Sequence, residues 1–393
     1  MKPSGLAALV ISVLIVAWPA DVSPLAVELD VIRVPEDYLK IQQAIYEANP
    51  GDTIQVAAGT YFESLEISKS LRLVGEGPDK TILVGTGTMI LVTADNVEIT
   101  GFAVQNGTYG IFLWYSTGSL LRNNNMLNNK WNFGVWGNSS SHFVQNIDSS
   151  NMVDGKPIYF WLYQHNKHVP NDAGYVALVG CTNITVANMD LTSNEQGVFL
   201  VDTKESLVEN VTMLGNDKGI VLRTSSSNTI RDNKLVLINF HGVYFFDSHN
   251  NTFYENALLN STYGMSILHS TGNTIYHNNF IGNKKQLYQV GCSSVWHNEA
   301  GEGNYWSDYN GTDTDGDGIG DTSVPHLGVD YYPLMNIYDA VFPVARAGRD
   351  QTVLVNNPVS FDASESSDNI GIAHYLWDFG DGSIGDGATT THT

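Results

Sequence analysis

The chain has 393 residues and a net charge of −22, from 41 acidic against 19 basic side chains. A surface of that sign repels nucleic acid and anionic lipid and attracts divalent cations. The remaining polarity is carried by Asn, Ser and Thr, which suits an exported β-protein, and the length accommodates one long domain and a smaller one.

Lys2 precedes an apolar run over 6–18, followed by Pro19, Ala20 and a polar stretch. The run is too short to span a bilayer comfortably and reads as a signal peptide over 1–26, with a retained N-terminal anchor as the alternative. The entry segment over 32–101 follows. Pro35 and Asp37 stand at a helix start, and Tyr38, Ile41, Ala44/Ile45 and Ala48 recur at helical spacing until Asn49-Pro50-Gly51 ends the run. This amphipathic segment suits a cap over the open end of a repeat stack. Alternating strands are predicted over 53–56, 66–68 and 71–74.

Rungs begin at Asn96, with Gly110 and Gly134 in register. The clearest repeat runs over 183–294, where glycines recur at 197, 219, 242 and 264 and asparagines at 188, 210, 233, 256 and 278. A period of 22 to 23 residues in two independent ladders marks a repeat architecture. Short alternating runs of Val, Ile, Leu and aromatics, broken by Asn, Ser, Thr and Gly, give strands and turns rather than helices. The reading is an all-β chain built as a parallel β-helix, not a leucine-rich repeat, whose fixed leucine pattern is missing. Positions +1 and +3 after each glycine (Val198/Leu200, Ile220/Leu222, Val243/Phe245, Met265/Ile267) point inward, and the laddered Asn and Gly are scaffold. The stretch 141–182 is nearly two periods long, so it is either two rungs or one rung with a loop; the preferred reading is a rung carrying a loop at about 164–174. Cys181 and Cys292 lie five rungs apart; at ~4.8 Å per rung they are about 24 Å from each other, which predicts two free thiols.

Several segments carry a family resemblance. IQQAI, NPGDTI, GTY and LVGEG in the entry segment resemble pectin-lyase-like β-helix proteins. GKPIYFWL, DAGYVALVGCTNITVAN, NTIYHNNFIGN and the closing GNYWSDYNGTDTDGDGIGDTSVPHLGVDYYPLM resemble archaeal proteins with the NosD-type periplasmic copper-binding β-helix domain. The resemblance covers about 32–335 and implies a right-handed parallel β-helix on an exported protein, linked to carbohydrate binding or hydrolysis or to copper-site maturation. From Pro343 the chain resembles a PKD domain, an immunoglobulin-like sandwich, on the run Tyr375-Leu376-Trp377-Asp378-Phe379-Gly380-Asp381-Gly382. The expected division is a signal peptide over 1–26, a capped β-helix over 27–300, an Asp/Gly-rich closing segment over 301–340 and a truncated PKD-like domain over 341–393.

Two candidate sites stand out. Asp313, Asp315, Asp317 and Asp321 alternate with glycines, and with the Ile319 carbonyl they are able to wrap one Ca²⁺; Val324 stands where an EF-hand has its bidentate Glu, so a full EF-hand is not supported. The cation would close the β-helix end together with Trp306, Tyr309, Tyr331 and Tyr332. The second is an outward aromatic stripe for stacking on sugar rings: Phe112, Trp114, Trp136, Phe199, Tyr244 and Phe246, with Tyr159, Trp161 and Tyr163 outward if Ile158, Phe160 and Leu162 are inward. Copper needs clustered His, Cys or Met, and the histidines fall at different rung offsets, so copper rests on the family resemblance alone. No catalytic motif of the fold is present. The function expected is a non-catalytic, secreted or cell-surface protein that engages extracellular polysaccharide. A glycan lyase, hydrolase or epimerase is the first alternative, and copper handling the second.

Overall fold

The computed structural model describes residues 30–339, 344–354, 357–368, 372 and 374–393. The stretch read as a signal peptide, 1–26, lies outside them. The described chain is almost entirely β, and its strands stack in parallel into a β-helix.

The first segment has three strands per turn. One stack runs from Val31–Val34 through Thr53–Val56, Arg72–Gly75, Glu98–Thr100 and Leu120–Arg122 to Asn146–Ile147. A second runs from Gly59–Tyr61 to Met152–Val153, and a third joins Leu65–Ile67, Thr88–Val92, Tyr109–Trp114 and Trp131–Trp136. The helix Ile41–Glu47 buries Ile41, Ala44 and Ile45 over the open end, as its apolar spacing requires.

At Asp154 and Gly155 the chain reverses. Met152–Val153 pairs antiparallel with Lys156–Leu162, and from there the strands are parallel to one another again: Tyr175–Val179, Gln196–Val201, Lys218–Arg223, His241–Phe246, Tyr263–Leu268 and Lys285–Val290. This corrects the expected rung with a loop at 164–174. That stretch contains a strand, His165–His168, that pairs in parallel with Thr182–Thr192, so 156–182 is a turn of the second segment. The irregularity lies earlier, in the short 3-10 turn Ser140–Phe143 and the reversal after it.

The reversal produces two cores. Val176, Leu178, Val198, Leu200, Ile220, Leu222, Val243 and Phe245 fill the second segment. The opposite faces of the same strands carry Tyr175, Ala177, Val179, Phe199, Val201 and Val221, and these join the core of the first segment. The strands Tyr175–Val179, Gln196–Val201 and Lys218–Arg223 are therefore buried on both faces, which is why the stretches 175–179, 198–201 and 220–222 read as unbroken apolar runs.

The repeat residues do the work their chemistry permits. A Cβ at Gly242 would lie 2.5 Å from the Gly264 carbonyl oxygen, and one at Gly197 2.9 Å from that of Gly219, so close rung approach demands glycine here. The asparagine ladder is in fact two, offset by one residue, because Val211 and not Asn210 is in register with Asn233. Asn188 and Asn210 are exposed with left-handed φ of 59° and 49°. Asn233, Asn256, Asn278 and Asn304 are buried, and each of the first three donates from Nδ2 to the Oδ1 of the next at 2.9 Å. Cys181, Thr203, Ser225, Ser248, Ser270 and Cys292 occupy successive rungs of another inner ladder, and both cysteines are free, in keeping with the five-rung separation.

At the far end Trp306 stacks on Phe280 (centroids 4.2 Å apart) and donates its indole N–H to the buried Asp330 at 2.8 Å. Asp330 also accepts from the Asn304 and Tyr332 amides, ending the ladder on an acceptor whose neighbours are donors. The closing residues are thus Trp306 and Asp330, while Tyr331 and Tyr332 are exposed. Beyond it, Val359–Asp362 pairs with Thr389–His392 and Leu376–Asp378 with Ile384–Asp386, with Phe361 against Trp377 and Phe379.

Candidate functional site

The strand Trp131–Trp136 is the last of its stack, and its edge is taken up by the second segment. The Asn132 amide donates to the Ser193 carbonyl, the Glu195 amide to Phe133, and the Gln196 side chain to Val135. A side chain on Gly134 would strike Glu195. Two outward sheet faces therefore meet at a corner, one carrying Tyr109, Phe112, Trp114, Trp131 and Trp136, the other Lys218, Arg223, His241, Tyr244 and Phe246.

The predicted stripe divides between this corner and three other places. Trp114, Trp136, Tyr244 and Phe246 line the corner and are partly open to solvent. Phe112 is 8% exposed, stacked beneath Tyr109, and Phe199 is 0% exposed, packed on Phe143; neither presents a free ring face. Tyr159 and Trp161 have the opposite parity to that expected. Pairing with Val176 and Leu178 turns them toward the second segment's core, and Ile158 and Phe160 face the first. The Tyr159 hydroxyl donates to Asp172 at 2.9 Å. Tyr163 is exposed at a turn, with φ 53°, against Gly180 and away from the corner.

Charged residues that the sequence reading passed over complete the corner. Lys218 donates to Asp217 at 2.8 Å and to Glu195, and all three are buried. Burial alone would lower the Lys218 ammonium, but the two carboxylates outweigh it and hold its pKa above the ordinary lysine value. Burial raises Glu195, whose second oxygen has no hydrogen-bond partner among the described residues. Burial also lowers His241 to about 4, helped by the Lys218 charge, so it is neutral at pH 7. Its Nδ1 bonds the Ser266 hydroxyl at 2.8 Å, and its ring stacks on Tyr244. Arg223 lies over Trp136, Phe143 and Phe246, at 5.5, 5.4 and 4.8 Å from their centroids. A signal existed in the sequence: two of only 19 basic residues flank one repeat strand in which neighbouring rungs carry neutral side chains.

In the acidic loop, carboxylate oxygens of Asp313, Asp315 and Asp317 lie within 4.8 Å of one another. Asp313 accepts from the Gly318 and Gly316 amides, which hold it below the usual carboxylate range. The Asp317 amide lowers Asp315, yet the like charges of Asp317, Asp321 and Asp313, with desolvation, leave it raised. Asp321 is engaged across the loop by the Thr314 amide at 2.6 Å, and Ile319 bridges to Leu334. Among the described residues this is the only group of three His, Cys, Asp or Glu able to surround an ion, and its donors are all oxygen, which suit a hard cation rather than copper. The cysteines stand rungs apart, and Met89, Met126, Met213 and Met265 are in the cores, so among the described residues no cluster of side chains fits a copper centre.

Residues 158–311 match the family model described as periplasmic copper-binding protein (NosD), and 340–393 match that of the PKD domain. The NosD-type match falls on the second β-helix segment. A cell surface glycoprotein of Methanothermus fervidus is 32% identical over 106 residues, covering 26% of this chain and 18% of that protein. A probable ABC transporter binding protein NosD of Pseudomonas aeruginosa is 35% identical over 102 residues, covering 21% and 24%. The matches thus span about a quarter or less of these relatives. Among solved structures, the A-module of the Azotobacter vinelandii mannuronan C-5 epimerase AlgE6 is 16% identical, with TM-score 0.32, covering 67% of this chain and 80% of that one. An alginate lyase from a Paenibacillus species is 13% identical, with TM-score 0.25, covering 64% and 91%. The chain is a secreted or cell-envelope protein. No helix among its described residues is long and apolar enough to cross a membrane.

Proposed function

We propose that this chain is a non-catalytic glycan-binding protein of the cell envelope, and that polysaccharide lies along the aromatic corner. The observation that carries the reading is the convergence of Trp114, Trp136, Tyr244 and Phe246 on two sheet faces that meet, each ring partly open to solvent. Flat amphipathic rings stack on the apolar faces of sugars, and a contiguous apolar strip on a protein this acidic marks a partner. Retention on immobilised polysaccharides tests it. Replacing Trp114 and Phe246 together by Ala is expected to cut retention at least tenfold, and Trp161→Ala to leave it unchanged; equal retention of all three proteins rejects the site.

A glycan lyase, hydrolase or epimerase is the second reading, favoured by one observation. Neutral His241 and protonated Lys218 have their pKa values pushed apart beside the same ring faces. Release of reducing ends or unsaturated products from the same polysaccharides would establish it. The binding reading is the stronger, because the Glu195, Asp217 and Lys218 side chains are closed off by burial and by one another.

We further infer that Asp313, Asp315, Asp317 and Asp321, with the Ile319 carbonyl, hold a structural Ca²⁺. Three like charges in a Gly-rich turn repel one another unless a cation joins them. Calorimetric titration of the full chain is expected to show one Ca²⁺ bound and a rise in Tm that chelation reverses, with Asp315→Asn abolishing both.

A further inference from the structure

We propose that Arg223 is the specificity residue of the corner, and that the polysaccharide it recognises carries an oxyanion, a carboxylate or sulfate, on the sugar that stacks there. The inference rests on the glycan reading above and adds the chemical class of the ligand. Arg223 belongs to a column of outward positions on successive rungs: Leu162, Val179, Val201, Arg223, Phe246, Leu268 and Val290. Every other member is apolar. Arg223 is only 8% exposed, yet among the described residues its guanidinium has no ion pair and no hydrogen bond; its neighbours are the rings of Trp136, Phe143 and Phe246.

The contrast with Lys218 isolates the point. Both cations lie over the same Trp136 ring, Lys218 at 4.9 Å. Lys218 is neutralised by Glu195 and Asp217, which take two of its three N–H donors. Arg223 keeps all five N–H donors. A guanidinium held out of water without a carboxylate is unfavourable unless an anion completes it, and its planar fork matches an oxyanion while the surrounding rings take up the sugar face. Asp202 and Asp247 stand on the turns nearby and contribute charge without contact; Asp202 is instead engaged by the Thr224 hydroxyl.

A glycan array holding neutral, uronate and sulfated oligosaccharides, probed with the full chain and with Arg223→Gln, tests the proposal. The expected result is binding to uronate or sulfated members, with the variant weaker by about ten- to a hundredfold on those and a clearly smaller loss on any neutral ones, the difference expected of charge-assisted hydrogen bonds. The same oligouronates after carboxyl reduction provide a control independent of the variant's folding, and wild type should lose them as well. Which arm responds separates carboxylate from sulfate. Binding confined to neutral glycans, or acidic binding indifferent to both Arg223→Gln and carboxyl reduction, overturns the role of Arg223 and leaves the glycan reading standing. No binding to any glycan overturns the glycan reading itself, and this proposal with it.

Discussion

The two β-helix segments are built from the same kind of turn but end in different ways. The second closes on itself: Trp306 covers Phe280, and Asp330 gathers the last ladder donors. The first cannot close alone. Its lid is the outer surface of the second segment, where Phe160, Ala177, Phe199 and Val221 occupy the positions that Tyr244 and Tyr288 occupy further along. One row of structurally equivalent residues is thus core at one end and surface at the other. The corner lies where that row emerges. A repeat position does not carry a fixed environment; what is packed against the sheet decides it.

That comparison is open to direct attack. The largest expected effect is at Phe199, where replacement by Ala should destabilise the chain by about 3–5 kcal/mol, the cost of truncating a buried aromatic. Tyr288→Ala, in the same row and 38% exposed, should change stability by no more than about 0.5 kcal/mol. Equal effects in urea unfolding would mean that the segments do not share a core. Lys218→Met should cost a similar ~3–5 kcal/mol, because Glu195 and Asp217 are left buried and uncompensated; adding Glu195→Gln should recover part of the loss.

His241 gives a smaller, pH-dependent term. Its folded pKa, about 4, lies below the ordinary value of 6.5, so between these pH values the unfolded chain binds a proton that the folded chain refuses. Stability from this group is full above 6.5 and falls as pH drops toward 4, by about 3 kcal/mol at most. The difference in stability between wild type and His241→Gln should shrink over that window, and a constant difference would contradict the burial. The smallest contrast lies in the ladders. Asn256→Ala leaves buried donors and acceptors unpaired and should cost about 1–3 kcal/mol, whereas Asn210→Gly, on the exposed ladder where the left-handed φ suits glycine, should cost a few tenths.

Much of this was legible in the residues. The glycine period located the tight rung approaches, since only a missing Cβ lets the carbonyl of the next rung come within contact. The inward pairs after each glycine, the cap helix at Ile41 and the separation of the cysteines follow from strand alternation, helical spacing and rung counting, all of them local rules. The offset between Asn210 and Asn233 was hidden, because a gap of 23 residues looks like 22 plus a bulge until the register with Val211 is known.

The sequence by itself therefore determined a parallel β-helix, its inner ladders and the residues that must stay small. The tertiary structure alone decided which outward residues are outside. The turn at Asp154-Gly155 reverses the strand direction, which exchanges the parity of Tyr159 and Trp161 with that of Ile158 and Phe160 and folds one segment's surface over the other's end. Such a contact joins residues far apart in the chain through side-chain packing, and no period within one segment encodes it. The aromatic stripe, read along the sequence as a single line, became a core at one end and a corner at the other, with the unpaired guanidinium of Arg223 among its rings.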